Sequence, residues 1–435
     1  MTLTEQAQEQ NAFNDSLEAL LNEASSDHPL AKFKAMAAER FKDMGLPAKS
    51  DERYKYVKLR SLYEQEYVHV APTAIDIAPY ILPESLGAAL VFVNGIYQPQ
   101  LSQVEALPSN MVILPLSVAM HSYGPLLNNR LTKTCRDETD PFALLNLALH
   151  HEGAFLYLPP RTRCQTPIQI IHVIDSDTHS TISFPRLQLF VGSGSELTIA
   201  STHISESQIS HCINQVLDVQ IEENGHLNYI QSNCHSNAKL WHFDAVRADL
   251  KRDARLEALS ATLGCSALRH DSRIILAGTN AEAHLYGVWM LKDKLEAHHN
   301  VHIEHQAPNC NSRQLFKGVL DDNSRSSFEG KIFVHKEAQK TNAFQLNNNL
   351  LLSDVALAFS KPNLEIFADD VKASHGATVG QLDKEELFYM RSRGFNASQA
   401  KNVLLYAFCQ EVIDQITIPS LKASISASAR LCLKD

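Results

Sequence analysis

Hydrophobic positions change their spacing twice along this chain, and the two changes divide it into a helical head, a strand-rich body and a helical tail. In the head, which covers roughly the first 65 residues, Phe13, Leu17, Leu20 and Leu21 fall on one helical face. A second helix is predicted from near Asp27, with Leu30, Phe33, Met36, Ala37, Phe41 and Met44 as its apolar stripe. Gly45 and Pro47 should stop it, the glycine as a left-handed cap and the proline as a breaker. The stretch that follows, Asp51 to Leu59, reads as a linker that carries Tyr54 and Tyr56 on its surface.

From about Ala88 the spacing becomes alternating. Ala88 to Val93 predicts a strand, Asn94-Gly95 a tight turn and Ile96-Tyr97 the start of a return strand. Between about 150 and 370 the chain consists mostly of short strand patterns separated by polar turns, and these patterns resemble one another. Ser195-Glu-Leu-Thr-Ile, Gly225-His-Leu-Asn-Tyr-Ile, Ala254-Arg-Leu-Glu-Ala-Leu and Ala281-Glu-Ala-His-Leu-Tyr recur roughly every 27 to 30 residues, a spacing typical of repeat architectures. Asn323-Ser-Arg-Ser-Ser-Phe-Glu and Asp354-Val-Ala-Leu-Ala-Phe read as later, degenerate copies. One such unit cannot bury its own apolar face, whereas stacked units share a continuous core. A β-sandwich would account for strands and turns but not for the long period.

After Gly380 the helical period returns. Asp383 with Glu386 forms a capping box ahead of Leu387, Phe388 and Met390, and Gly394 stands where a C-terminal cap is expected. A second tail helix should begin near Asn396 or Ser398, carry Ala400, Val403, Leu404, Ala407, Phe408, Val412 and Ile416, and end at Pro419. Leu421 to Leu433 suits a third. The expected fold is mainly β, a right-handed parallel β-helix (β-solenoid) flanked by N-terminal and C-terminal helical domains. Its expected boundaries are 1–87, 88–380 and 381–435.

Composition narrows the classes of function. With 44% hydrophobic and 20% charged residues the chain is globular, and a net charge of −10 without a basic cluster argues against nucleic acid as main partner. The polar start Met1 to Gln10 does not resemble an export signal, and no apolar run approaches a membrane span. The eight cysteines (135, 164, 212, 234, 265, 310, 409 and 432) form no CxxC pair, so reduced, buried thiols in the cytosol are expected.

Several side chains invite chemistry. On a strand, His298, His302 and Glu304 would share one face and could hold a metal, while His299 and His305 would take the other; polar outward positions of a surface strand are the preferred explanation. Asp321-Asp322 and Asp369-Asp370 would face opposite ways on a strand and sit at predicted turns, where Asp serves the backbone. There is no GxSxG elbow, HExxH helix or Walker A loop. The densest pattern runs from Leu364 through Asp383, Leu387 to Gly394 and Ala407 to Val412. It reads as a strand ending in a tight polar turn, Ser374-His375-Gly376, then a capped helix and a glycine break.

This block resembles the C-terminal signature of the SufB/SufD family, scaffold components of the Suf iron–sulfur cluster assembly system. The resemblance is dense from about 350 to 415 and looser over the body, where it includes His305 and the run Arg313 to Leu320. Ser374 to Gly380, with the later pair Ala407-Phe408, is similar to the SufD branch. SufB members usually carry Cys-Glu-His-Glu-Ala at this point, and many have N-terminal cysteine clusters. The family implies a non-enzymatic subunit that pairs with a SufB-type paralogue through its β-helix, supports cluster assembly and iron acquisition, and in isolation could form a homodimer. It implies that the C-terminal helices hold the SufC ATPase, with Tyr389, Arg391 and Phe408 as contacts, and that ATP hydrolysis belongs to SufC. His375 would face a SufB cysteine and hold iron or a nascent cluster transiently, with no cofactor bound stably by this chain alone. Where the family commonly has Cys two residues before this histidine, the chain has Ala373. Two other functions stay open: a SufB-like subunit that carries the cluster itself, and a β-helix enzyme acting on acidic carbohydrate.

Overall fold

A computed structural model describes residues 11–22, 28–48, 50–205, 207–236 and 239–432. The start Met1 to Gln10, the helix start at Asp27 and the helix end at Leu433 lie outside these residues, as do the side chains of Cys234 and Cys432.

Each repeat forms one coil whose strand pairs, parallel and in register, with the strands one coil before and after it. Leu227 therefore lies between Leu197 and Leu256, and Leu256 beside Ala283. Across the interior, Val219, Ala248, Ile274, Ile303 and Ile332 form the facing column. All nine side chains are buried, and each large aliphatic among them stabilises the fold by about 1.5–3 kcal/mol. Among the described residues the strands make two ten-stranded sheets, wound as a solenoid of about eight turns.

The corners explain the Asn and Asp usage. Asn224, Asp253, Asn280, Asp293, Asn309 and Asp322 all take left-handed backbone, which these residues tolerate because the side chain bonds locally. Asp322 thus serves a corner, and Asp369-Asp370 occupies the bend between the last two strands, where the Asp370 carbonyl accepts from Lys340 N at 2.6 Å. The hairpin at Asn94-Gly95 also forms, with both residues at positive φ.

Both sheets are covered on their outer faces, so their central strands are buried on both sides. Head residues Phe33 and Phe41, with Leu131, Phe142 and Leu145 from further along the chain, pack on Phe190, Trp241 and Phe243 of the second sheet. Tail residues Leu405, Cys409, Val412, Leu421 and Ile425 pack on Ile230, Leu259, Val288, Leu315 and Val319 of the first.

Four expectations require correction. Asn323 to Glu329 and Asp354 to Phe359 are not later coils of the first four repeats: they open strands Arg325–Val334 and Leu357–Ile366 of the second sheet. The first sheet instead continues through Asn311–Leu320, Thr341–Leu351 and Val371–Gly380. Both sheets use a turn residue followed by alternating apolar positions, so the pattern does not show which half of a coil it occupies. Tyr54 is buried rather than on the surface, and its hydroxyl donates to Asp140 Oδ2 at 2.6 Å; Tyr56 stacks on Phe359 with ring centroids 4.3 Å apart. The Asp51–Leu59 stretch is wedged between head and sheet. Three helices, Leu116–Ser122, Gly124–Asp137 and Pro141–Leu149, interrupt the stretch expected to be β-rich, and supply much of the cover over the second sheet. Finally, the helix Ala397–Ile413 ends before Pro419, and that proline opens the next helix, Pro419–Cys432, at its first turn.

Candidate functional site

Burial falls away along the last coils. Strand Leu240–Leu250 is buried at all but one position, Thr341–Leu351 alternates, and Leu357–Ile366 and Val371–Gly380 contain no buried residue. These last two strands end their sheets, each pairing on one side only. Their free edges display backbone N–H and C=O groups that can accept another strand. Val355, Leu357, Phe367 and Val379 are exposed around them, as are Phe344 and Leu346 on the adjoining strand.

His375 lies in the middle of strand Val371–Gly380, which corrects the expected tight turn at Ser374-His375-Gly376. Gly376 has no positive φ. Its lack of a side chain serves packing instead, since a Cβ there would meet Leu346 Cδ1 at 3.0 Å. Alternation turns Ala373, His375 and Ala377 toward the solenoid interior, in register with Ala343, Gln345 and Asn347. Ala373 accordingly packs beside the cluster of Ile332, Val334 and Ala343. His375 is exposed. Its imidazole therefore stands at the mouth of the uncovered end, on an inward-facing position that no further coil closes.

The tail presents a second surface. Asp383 caps helix Lys384–Ser392 by accepting from Glu385 N at 2.7 Å and Glu386 N at 3.4 Å. None of this helix is buried, so Leu387, Phe388 and Met390 form no core stripe. Phe388 is 73% exposed and Tyr389 54%. Tyr389 is braced by Arg393, whose Nη2 donates to the phenol at 2.9 Å while its guanidinium lies 5.0 Å from the ring centroid. Arg391 is exposed. Phe408 belongs elsewhere, half-buried against the solenoid with Lys317 Nζ 5.0 Å from its ring centroid. Lys317 in turn pairs with Glu411 at 2.6 Å. The structure thus leaves Tyr389 and Arg391 on the surface helix and turns Phe408 toward the body. Phe388, Phe395 and Val403 are exposed apolar residues that spacing had assigned to packing or passed over. The signal for Phe388 was its place in a helix that opens with Lys384, Glu385 and Glu386.

Among the described residues, no group of three or more His, Cys, Asp or Glu side chains could hold a metal ion. His298, His302 and Glu304 do share the outward face of strand Glu296–His305, but they are strung along it and bonded separately. His298 is held by Ser327 Oγ at 2.8 Å and Glu296 at 2.9 Å, and Glu304 pairs with His335 at 2.6 Å. Burial lowers His298's affinity for a proton and outweighs the nearby Glu296. His299 and His305 point inward. His299 stacks on Trp289 at 4.8 Å, and burial pushes the His305 imidazole down to about 4.

The interior also holds a constellation that spacing did not reveal. Ser272 Oγ lies 2.7 Å from His270 Nε2, and His270 Nδ1 2.7 Å from Asp244 Oδ2. Beyond them, Gln215 reaches both Asp244, at 3.4 Å, and His203, at 2.7 Å. The geometry is that of a serine–histidine–aspartate relay. All three residues are sealed between the sheets, however, and the His270–Asp244 bond joins consecutive coils.

Fold and site together define a β-solenoid scaffold with an unclosed end, a histidine at its mouth and, following it, an exposed helix that carries Phe388 and Tyr389 in solvent. Residues 172–408 match the family model of the SUF system FeS cluster assembly SufBD core domain, and residues 4–170 that of the SufBD protein N-terminal region. The chain is 30% identical to an iron–sulfur cluster assembly SufBD family protein of Synechocystis, over 96% of this chain and 95% of that one. It is also 30% identical to the iron–sulfur cluster assembly protein SufD of Escherichia coli, over 88% of each. A chloroplastic protein of Arabidopsis thaliana, ABCI7, is 28% identical over 92% of this chain and 86% of its own length. The chain belongs to the SufB/SufD family of iron–sulfur cluster assembly proteins.

Proposed function

We propose that this chain is the SufD-type, non-catalytic subunit of a cytosolic scaffold, and that it closes its open solenoid end onto a SufB-type paralogue. The uncapped pair of terminal strands carries the reading. Ten-residue edges with exposed Leu357, Phe367 and Val379 beside them are a liability in a lone protein and a docking surface in a complex. The same edges would pair two copies of this chain when the paralogue is missing. Helix Lys384–Ser392, with Phe388 and Tyr389 exposed and no residue buried, is the proposed seat of the SufC-type ATPase, with Arg391 beside them.

Iron, or a nascent cluster, is cargo here rather than a resident cofactor. One imidazole is a weak site alone, and Ala373 supplies no thiol. His375 therefore contributes a single nitrogen ligand at the mouth, and the partner contributes thiolate. The six cysteines with described side chains are all buried. Co-expression with SufB-type and SufC-type partners should yield one complex of defined mass by light scattering. Recovery of this chain only as a monomer would sink the reading. In that complex His375→Ala should lower cluster yield severalfold without changing its mass; an unchanged yield would remove His375 from the site.

A further inference from the structure

The interior of the solenoid carries a second group of polar side chains at its end, and their order there is informative. One column, read coil by coil toward the mouth, runs Leu285, Gln314, Gln345 and His375, each paired in register with the next. Gln314 and Gln345 are 1% and 3% exposed, so their amides lie in the interior. Gln345 Nε2 donates to Gln314 Oε1 at 3.1 Å, toward the body. Its other polar atom, Oε1, is buried and has no hydrogen-bond partner. A buried acceptor left in that state is destabilising until a donor reaches it.

The amide is also held from across the solenoid. Gly330, inward on the second sheet, has no side chain, and a Cβ there would stand 1.6 Å from Gln345 Nε2. The glycine is the space into which the amide fits. Among the neighbouring amides, Asn347 Nδ2 donates to the Phe316 carbonyl at 3.4 Å and Asn349 Nδ2 to Asn347 Oδ1 at 2.9 Å, whereas Gln314 Nε2 is buried without a partner, like Gln345 Oε1. The side chain directly in register with Gln345 on the last strand is His375. Parallel neighbours lie about 4.8 Å apart, so side-chain torsions alone bring an imidazole N–H onto that oxygen.

We infer that Gln345 is the positioning residue for His375: its Oε1 accepts one imidazole N–H, fixes the tautomer, and leaves the other nitrogen's lone pair aimed out of the mouth. The inference rests on the reading of His375 as a ligand for iron or a nascent cluster. Such partners of a ligating histidine orient the ring and raise its basicity. Gln345 would thereby commit the imidazole before any partner or metal arrives.

The test uses the full chain labelled with 15N-histidine, at a pH where the imidazole is neutral, with His375→Ala to assign the resonance. Long-range proton–nitrogen correlations distinguish the two tautomers. Wild type should show His375 as one tautomer. Gln345→Met, of similar size but with no acceptor, should show a mixture, and Gln345→Glu, which keeps an oxygen there, should restore the single form. A purely structural glutamine would change thermal stability in Gln345→Met and leave the tautomer as in wild type, which would overturn the inference. In the assembled complex, Gln345→Met should weaken Fe(II) retention about tenfold. The tautomer is read without partner or metal, so it decides the role of Gln345; cluster yield in His375→Ala separately decides the reading on which that role rests.

Discussion

Histidine is used here in two opposite ways. His375 is exposed at the mouth, whereas His172, His242, His299 and His305 are buried, and burial lowers the proton affinity of each. For His305 the folded value is about 4 against 6.5 when unfolded. Between these limits the unfolded chain binds the extra proton, so stability is level above 6.5 and falls as pH drops toward 4. The slope is about 1.4 kcal/mol per pH unit for each such histidine. Urea unfolding followed across that window should show the decline, and His305→Leu should flatten it; an identical slope in the variant would exclude His305 as a source. None of this was legible from the chain, because alternation told which histidines share a face but not which face is inside. The face shared by His298, His302 and Glu304 was foreseen correctly. Its separate bonding to Ser327, Glu296 and His335 depends on side chains up to 31 positions away.

The helices of the tail show how a local signal can be right about existence and silent about use. Asp383 and Asn396 cap their helices as short-range chemistry predicts, and Asn396 with Gln399 completes a capping box. The apolar residues that follow look alike in the sequence. In the structure Leu405 and Cys409 are sealed against the solenoid, while Phe388 stands in solvent. Helical period cannot rank them, because which face is covered is set by docking against a sheet formed far earlier in the chain. Phe388→Ser should leave the unfolding free energy within about 0.5 kcal/mol of wild type, as expected for an exposed position. The same change should cost about 2 kcal/mol in binding to a SufC-type ATPase, measured by calorimetry. Full retention of binding would move the contact away from this helix.

At the level of the assembled solenoid, the proposed pairing rests on an end that is left open. The head covers one sheet and the tail the other, yet neither buries the terminal coil, which the head touches through Tyr56 on Phe359 and whose strands Leu357–Ile366 and Val371–Gly380 keep a free edge. Lysines at Leu357 and Val379, exposed by 42% and 46%, should leave the monomer folded by circular dichroism and abolish pairing with a SufB-type chain in size-exclusion light scattering. A complex that still forms would place the interface elsewhere. The repeat period, the turn residues and the caps were determined by the sequence alone, because each depends on contacts between near neighbours: Leu197, Leu227 and Leu256 recur at one coil's length and must stack. The sequence also marked His375 and its missing companion thiol at Ala373. Only the tertiary structure decided that His375 sits in mid-strand rather than in a turn, and that it faces inward at an unclosed mouth. It alone placed Gln345 behind His375, since that position depends on strand register between chain segments 30 residues apart.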